Sequence, residues 1–351
     1  MRAIRAILVL FAFLLFNGCY LGKQGAALMR QQLSAKSMDK MLKKDNITPE
    51  MKEFFLLVRE IKSFAMDSIG LKRNKNYRNY VKAERDYIVD VVTASRDDAF
   101  ESYKWWFPIL GNVSYKGFFD RKDAQKEAAR IIKKGGYDVH IGAASAFSTL
   151  GFFSDPVYSF MINYSVYDLA SLIIHEQMHA TVYIKSQTQL SEEMATFIGD
   201  EGGLLFVKKK FGENSDQYKT ALLSKEDYAA YISLMRSLYN ELKTLYESNA
   251  GREYKLAQKE LIISRFKNGI IESYDSLFHT PRYRGLERAS INNANIAARM
   301  TYNKDLVLFY ELYVSRGMDL AETVRELRAL KKVKKNHKEY LRKRIQVNTD
   351  F

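Results

Sequence analysis

The 351-residue sequence predicts a mainly α (α+β) fold, with a small β-sheet ahead of a central helix and a helical bundle at the carboxy terminus. Three observations predict it. Helix-forming residues dominate and only four prolines interrupt them. Long segments repeat apolar residues at helical spacing. Short runs rich in β-branched and aromatic residues between 87 and 142 read as strands of a small sheet. The chain is long enough to bury a large core, as one large domain or two closely packed ones. The expected divisions are an export signal over 1–19, amino-terminal helices over 20–84, a catalytic domain over 85–211, and a helical domain with a basic tail over 212–351.

In chain order, Arg2 and Arg5 precede the apolar run from Ala6 to Phe16, too short to span a bilayer as a stable helix and typical of an export signal. Phe16-Asn17-Gly18-Cys19 then places a small residue directly before the only cysteine, in the manner of a bacterial lipobox. Cys19 is therefore expected to become a lipidated amino terminus; an ordinary signal peptide with an incidental cysteine is the alternative. With no other cysteine there is no disulfide framework. A formal charge of +14 would ordinarily suggest nucleic acid, but an exported protein has little access to it, and none is expected as a partner. Lys208-Lys209-Lys210 and the run from Lys331 to Arg344 read as solvated helix surface, or as a basic face for anionic lipid headgroups.

Helical periodicity covers Gln24–Leu42 and Pro49–Ile69, the second with a stripe of Leu56, Leu57, Ile61 and Phe64. Tyr87–Thr93 reads as a strand. Lys104–Tyr115 reads as a strand or hairpin ending at Lys116-Gly117. Asp120 is a helix N-cap, and that helix stops at Gly135-Gly136. Tyr137–Gly142 is a further short strand, in which His140 is structural. An exposed edge of this sheet is expected to pair with an extended substrate backbone. The stretch Ala146–Pro156 is loop-like, its aromatics lining a cleft or filling a corner of the core.

The central helix carries His175-Glu176-Gln177-Met178-His179, an HExxH motif. Histidines four apart project from one face of a helix, near enough to hold one metal ion. Glu176 points about 100° away, toward a water and not toward the ion. Two neutral imidazoles, a third protein ligand and an open position suit hydrolysis with Zn2+ (one ion), Glu176 taking a proton from water and passing it to the leaving amine. The third ligand must follow the helix. Gln189–Gly199 starts a second helix, with Ser191 as its N-cap, and periodicity leaves Glu192 and Glu193 both open as that ligand. Helical runs then span Lys225–Asn249, Lys255–Phe266, Gly285–Met300 and Leu306–Leu330. Within the third, Asn292 and Asn293 are candidates to bind a substrate backbone, with capping or interhelical hydrogen bonds as the alternative. His279 and His337 read as surface residues.

Taken together these blocks resemble a bacterial family of lipoprotein zinc aminopeptidases, a branch of the HExxH…Glu (gluzincin) metallopeptidases. The resemblance runs from Cys19 to about residue 330. It is carried by Val58–Ala65, Ile69-Gly-Leu71, Asn76-Tyr-Arg-Asn-Tyr80, Trp106–Gly111, Tyr115–Phe119, Ser148–Phe152 with Asp155-Pro156, and Asn292-Asn-Ala294 followed by Tyr302. It implies a zincin-like domain and, through an Asn-Glu-x-Phe-Ala-Thr segment with twelve residues between the second histidine and its Glu, picks Glu192 as the third ligand. Ser191 and Met194 depart from that segment. Phe147 stands where the family has a tyrosine; if that tyrosine stabilises the tetrahedral intermediate, Tyr183 or Tyr302 is left to replace it. The expected activity is that of an exported, membrane-anchored zinc peptidase acting on peptide or protein substrates. An exopeptidase also needs an anion for the free amine, for which Glu193 and Asp200 are the candidates. An endopeptidase with the same core, and a non-catalytic envelope lipoprotein retaining its zinc site, are the rivals.

Overall fold

The computed structural model describes residues 20–107, 111–144, 154–184, 187–302 and 306–346. The expected export signal, Cys19 and the segment around Phe147 lie outside them. The fold is mainly helical with three small sheets, as the composition predicts. Among the described residues no helix is long and apolar enough to cross a membrane.

The predicted helix over Gln24–Leu42 is two helices. Helix α1 (20–34) is followed by a short strand β1 (Lys36–Ser37) and by α2 (Met38–Met41), which Ser37 caps through a hydrogen bond from the Lys40 N–H. Helix α3 (Pro49–Asp67) starts where expected, with Thr48 accepting from the Met51 N–H and Pro49 in the first turn. Its buried side is Phe54, Phe55, Val58, Ile61, Phe64 and Ala65, while Leu56 of the predicted stripe faces solvent.

Strand β2 (Asn79–Val81) joins β1 antiparallel and β8 (Val157–Tyr158) parallel. The main sheet has the order β6-β3-β7, antiparallel throughout, from β3 (Val89–Arg96), β6 (Tyr115–Phe118) and β7 (Tyr137–Ala144). Lys116-Gly117 therefore lies inside a strand, and the predicted hairpin is formed by β4 (Trp105–Phe107) and β5 (Gly111–Val113). Helix α4 (Arg121–Ile132), capped by Asp120, packs on this sheet through Ala124, Ala128 and Ile131.

The HExxH helix is α5 (Val166–Thr181). Ser165 accepts from the Asp168 N–H at its start, and Val182 is already extended at its end. Helix α6 (Thr188–Phe211) is far longer than Gln189–Gly199 and runs through three glycines to Gly212, whose φ of 89° ends it. Ser191 is not its N-cap. It sits a turn inside the helix, fully buried, and accepts a hydrogen bond from the Ile184 N–H, closing the connection between the two helices.

The remaining helices do two different jobs. Helices α7 (Asp216–Glu247), α8 (Arg252–Leu277) and α9 (Asn293–Tyr302) share a core with Tyr231, Met235, Leu242, Ile270 and Ile296. The predicted run Leu306–Leu330 splits into α10 (Leu306–Ser315) and α11 (Leu320–Ala329), because Gly317 and Met318 take positive φ between them. With α12 (His337–Gln346) these enter the same core as α3, α5 and α6. His337 is buried, its Nδ1 2.9 Å from Gln187 Nε2, contrary to the surface position expected for it.

Candidate metal centre

Helices α5 and α6 are antiparallel and unusually close, and glycine is the reason. A Cβ at Gly199 would lie 2.8 Å from the Ser171 carbonyl oxygen and 3.0 Å from His175 Cβ. A Cβ at Gly203 would fall 2.2 Å from Ser171 Oγ and 3.0 Å from the Ser171 nitrogen. Only residues without a side chain allow the two backbones this approach. Two turns before Gly199, the same face of α6 presents Glu192 to the histidines.

The three groups converge. His175 Nε2 and His179 Nε2 are 3.1 Å apart, and Glu192 Oε2 is 3.6 Å from the first and 3.4 Å from the second. These separations match the edges of a tetrahedral site, since a point equidistant from all three lies about 2 Å from each, the range of Zn–N and Zn–O bonds. His175, His179 and Glu192 can thus hold one metal ion. Burial alone would push the Glu192 carboxyl up, but the two imidazoles outweigh it and bring the carboxyl down to about 2. Burial works against His175 becoming charged, and Glu192 and Glu176 overcome it, raising the imidazole above its ordinary 6.5. His179 Nδ1 is buried and has no partner among the described residues.

Glu176 is nearly buried, at 9 % exposure, one position along from His175 and outside the triangle. The choice that periodicity left open is made by tertiary contacts. Glu193 turns away, its fully buried carboxylate accepting from Gln189 Nε2 at 2.8 Å and lying 2.9 Å from Lys338 Nζ of α12. Asp200 is on α6 within electrostatic reach of His175; burial pushes it up to about 7, with His175 and Lys225 opposing.

Tyr183 remains beside the site, its ring edge-on to His179 at 6.4 Å between centroids. Asn292 and Asn293 are not brought to it. Asn292 Nδ2 donates to the Val139 carbonyl on β7, and its Oδ1 accepts from the Asn295 N–H at the start of α9. Asn293 is fully buried, donating to the Arg96 carbonyl and accepting from the Tyr246 hydroxyl. Both side chains fasten α9 to the sheet, the interhelical and capping role weighed against substrate binding. His140 is on β7 beside Asn295, a strand histidine as expected. Tyr302 is in α9, and Phe147 lies outside the described residues.

Both free strands of the main sheet are partly closed by side chains. Asn292 covers Val139 on β7, while on β6 the Tyr20 hydroxyl donates to the Gly117 carbonyl at 2.6 Å and Gln24 Oε1 accepts from the Phe119 N–H. The uncovered end of β6 is Tyr115. Its half-exposed phenol is raised by burial and then by the charges of Glu192 and Tyr183. Tyr77 stands in the same relation to Glu176. The sequence offered no role for either tyrosine beyond membership in blocks shared with relatives.

A family model described as "Putative aminopeptidase" matches residues 19–341. No curated protein and no solved structure matches the chain.

Proposed function

The chain belongs to this aminopeptidase family, and on that premise we propose that it is an exported, lipid-anchored, zinc-dependent peptidase of the HExxH…Glu type. The observation that carries the reading is the triangle of His175, His179 and Glu192, with edges of 3.1–3.6 Å and Glu176 immediately beside it. Two imidazoles and one carboxylate are the donor set of a hydrolytic zinc site with one position left open. A bound zinc supplies Lewis acidity there, making water nucleophilic at neutral pH and polarising the scissile carbonyl.

The chain's own residues do the rest. Glu176 accepts a proton from the attacking water as its oxygen bonds to the carbonyl carbon. When the C–N bond breaks, Glu176 returns that proton to the leaving amine. The near burial of Glu176 keeps bulk water from competing for it. Tyr183, whose ring stands edge-on to His179, is our candidate to donate a hydrogen bond to substrate.

Cleavage at an amino terminus follows from the family. Internal cleavage is the second reading, favoured by Glu193, whose pairing with Lys338 removes one of the two acids expected to hold a free amine. Anchoring is supported by the lipobox at Cys19 and by Tyr20, which is fastened to β6 directly after it. Such a chain would hold its catalytic face close to the membrane.

The test is Glu176→Gln in the protein lacking residues 1–19. Zinc content should remain at one ion per chain while hydrolysis of amino-acid anilides and peptides is lost. Mass spectrometry of wild-type digests should show cuts confined to the first peptide bond. Full activity in the Gln variant would remove Glu176 from the mechanism, and cuts at internal bonds would assign an endopeptidase.

A further inference from the structure

Helix α1 is turned the opposite way from an ordinary surface helix, which points its apolar side at the core. Three of its four large aliphatic side chains face outward: Leu21 is 47 % exposed, Met29 47 % and Leu33 79 %. Its amides face inward instead. Gln24 Oε1 accepts from the Phe119 N–H at 3.0 Å, and Gln31 Oε1 accepts from the Tyr158 hydroxyl at 3.3 Å. Tyr20 packs edge-on against Phe118 while its hydroxyl donates to the Gly117 carbonyl. These contacts are spread along the helix, so it cannot roll its apolar side under without breaking them.

At about 100° per residue, Leu21, Gly25, Met29, Gly22, Leu33 and Ala26 share one arc of about 140°, and all six are exposed. An added Cβ at Gly22 or Gly25 meets nothing within 4 Å, so these glycines serve no close contact and the face is open. Arg30 and Lys23 border the arc, Lys23 lying 3.1 Å from Asp123, and no acidic residue occurs from Tyr20 to Met38. The stripe from Leu21 to Leu33 is about 18 Å long, too short to cross a bilayer core of about 30 Å and suited to lying along its surface. The place of α1 in the chain says what covers it. Tyr20 is the residue after Cys19, so a lipid there brings α1 to the bilayer surface.

Resting on the lipid-anchored reading above, we propose that the outward face of α1 beds in the surface of an anionic bilayer, with Leu21, Met29 and Leu33 entering the acyl boundary and Arg30 meeting lipid phosphates. Stable attachment takes two signals, and this face is the second beside the lipid. Alone it is weak and reversible, so a chain without its lipid is washed from membranes. Because α1 is bonded to β6, the contact also sets how the main sheet is oriented on the membrane.

The test is co-sedimentation of the protein lacking residues 1–19, which keeps every described element, with an excess of vesicles of phosphatidylethanolamine and phosphatidylglycerol. Binding should be measurable with no lipid on the chain, and should weaken in salt or when phosphatidylglycerol is left out. Leu21→Gln, Met29→Gln and Leu33→Gln together should lower the partition coefficient by about tenfold or more, with Tm and hydrolysis of soluble peptides unchanged. Gly25→Leu, built into open space, should raise it by about tenfold, the lower end of what burying a leucine side chain yields. Vesicle binding that is absent, or equal in wild type and both variants, overturns the proposal. So does a wild type that ignores vesicles and self-associates through these three side chains in sedimentation velocity, which assigns the face to a second copy of the chain. If mass spectrometry of the full chain finds no lipid on Cys19 while the vesicle results hold, the anchor reading alone has failed and α1 stands as the membrane contact.

Discussion

Gly199→Ala tests whether the helix approach, and not the motif alone, makes the metal centre. In an isolated helix the change favours folding by about 1 kcal/mol. Here the new Cβ would sit 2.8 Å from the Ser171 carbonyl oxygen and 3.0 Å from His175 Cβ, whereas ordinary contacts begin near 3.4 Å. Neither neighbour is the free end of a side chain, so the helices must part by about half an ångström, an overpacking that costs about 1–3 kcal/mol. The net loss of stability is thus about 0–2 kcal/mol. The larger effect is on metal binding. Coordination tolerates only about 0.2 Å of misplacement, and His175 is itself the residue pushed, so zinc affinity should fall about 10–100-fold. Competition with a chromogenic chelator measures it, and urea denaturation measures stability. Two controls bracket the result. At Gly202 the clash is with side-chain methyls of Ile69 and Ile174 and with no backbone atom or ligand, so Ala should weaken zinc binding less than at Gly199. At Gly269 on α8 nothing lies within 4 Å, and Ala should stabilise by about 1 kcal/mol. A Gly199→Ala protein that binds zinc within twofold of wild type would refute the reasoning.

Lys338→Met leaves the buried Glu193 carboxylate without its ion pair and should cost about 3 kcal/mol in urea denaturation; a loss below about 0.5 kcal/mol would show the pair to be incidental. In chelated protein, the raised His175 contributes stability fully below pH 6.5 and loses it as pH rises through its elevated value. The lowered Glu192 contributes above 4.5 and loses its share as pH falls toward about 2. The stability difference between chelated wild type and Glu192→Gln should therefore peak between pH 4.5 and 6.5, whereas zinc loading should stabilise most at higher pH, where imidazoles are neutral. A difference that is flat with pH in calorimetric scans would contradict this. Cys19→Ala, expressed with the export signal, should move the protein from the membrane fraction to the soluble one; unchanged fractionation would remove the lipid anchor.

What could be read from the sequence was whatever is encoded within a few residues. The four-residue spacing of His175 and His179, the cap at Asp120 and the stop at Gly135-Gly136 act over one or two turns, and each stands as expected. The strands β3 and β7 were visible through β-branched residues; β3 starts two residues and ends three residues later than expected, and β7 ends two later. Ser191 failed because a serine before an apolar run looks the same whether it caps a helix or, as here, satisfies the loop nitrogen of Ile184 from inside one. Glu192 and Glu193 are adjacent, and only Lys338, far along the chain, separates their roles. The positive φ of Tyr77 had no local signature at all, since such a backbone is announced by glycine or asparagine and not by tyrosine.

The same limit explains why an HExxH motif by itself is an incomplete specification of a metal site. Helical periodicity guarantees two imidazoles on one face, but nothing in it brings a carboxylate within 3.6 Å of them. That distance is set by Gly199 and Gly203, which lie two and three turns beyond Glu192 and outside the motif. Close packing then forces ring nitrogens to 3.1 Å and buries a carboxylate beside them, an arrangement that needs a shared positive charge, whether protons or a cation. Metal affinity in this fold is therefore a property of the α5–α6 contact. Substitutions that loosen it should weaken binding while leaving every ligand in place.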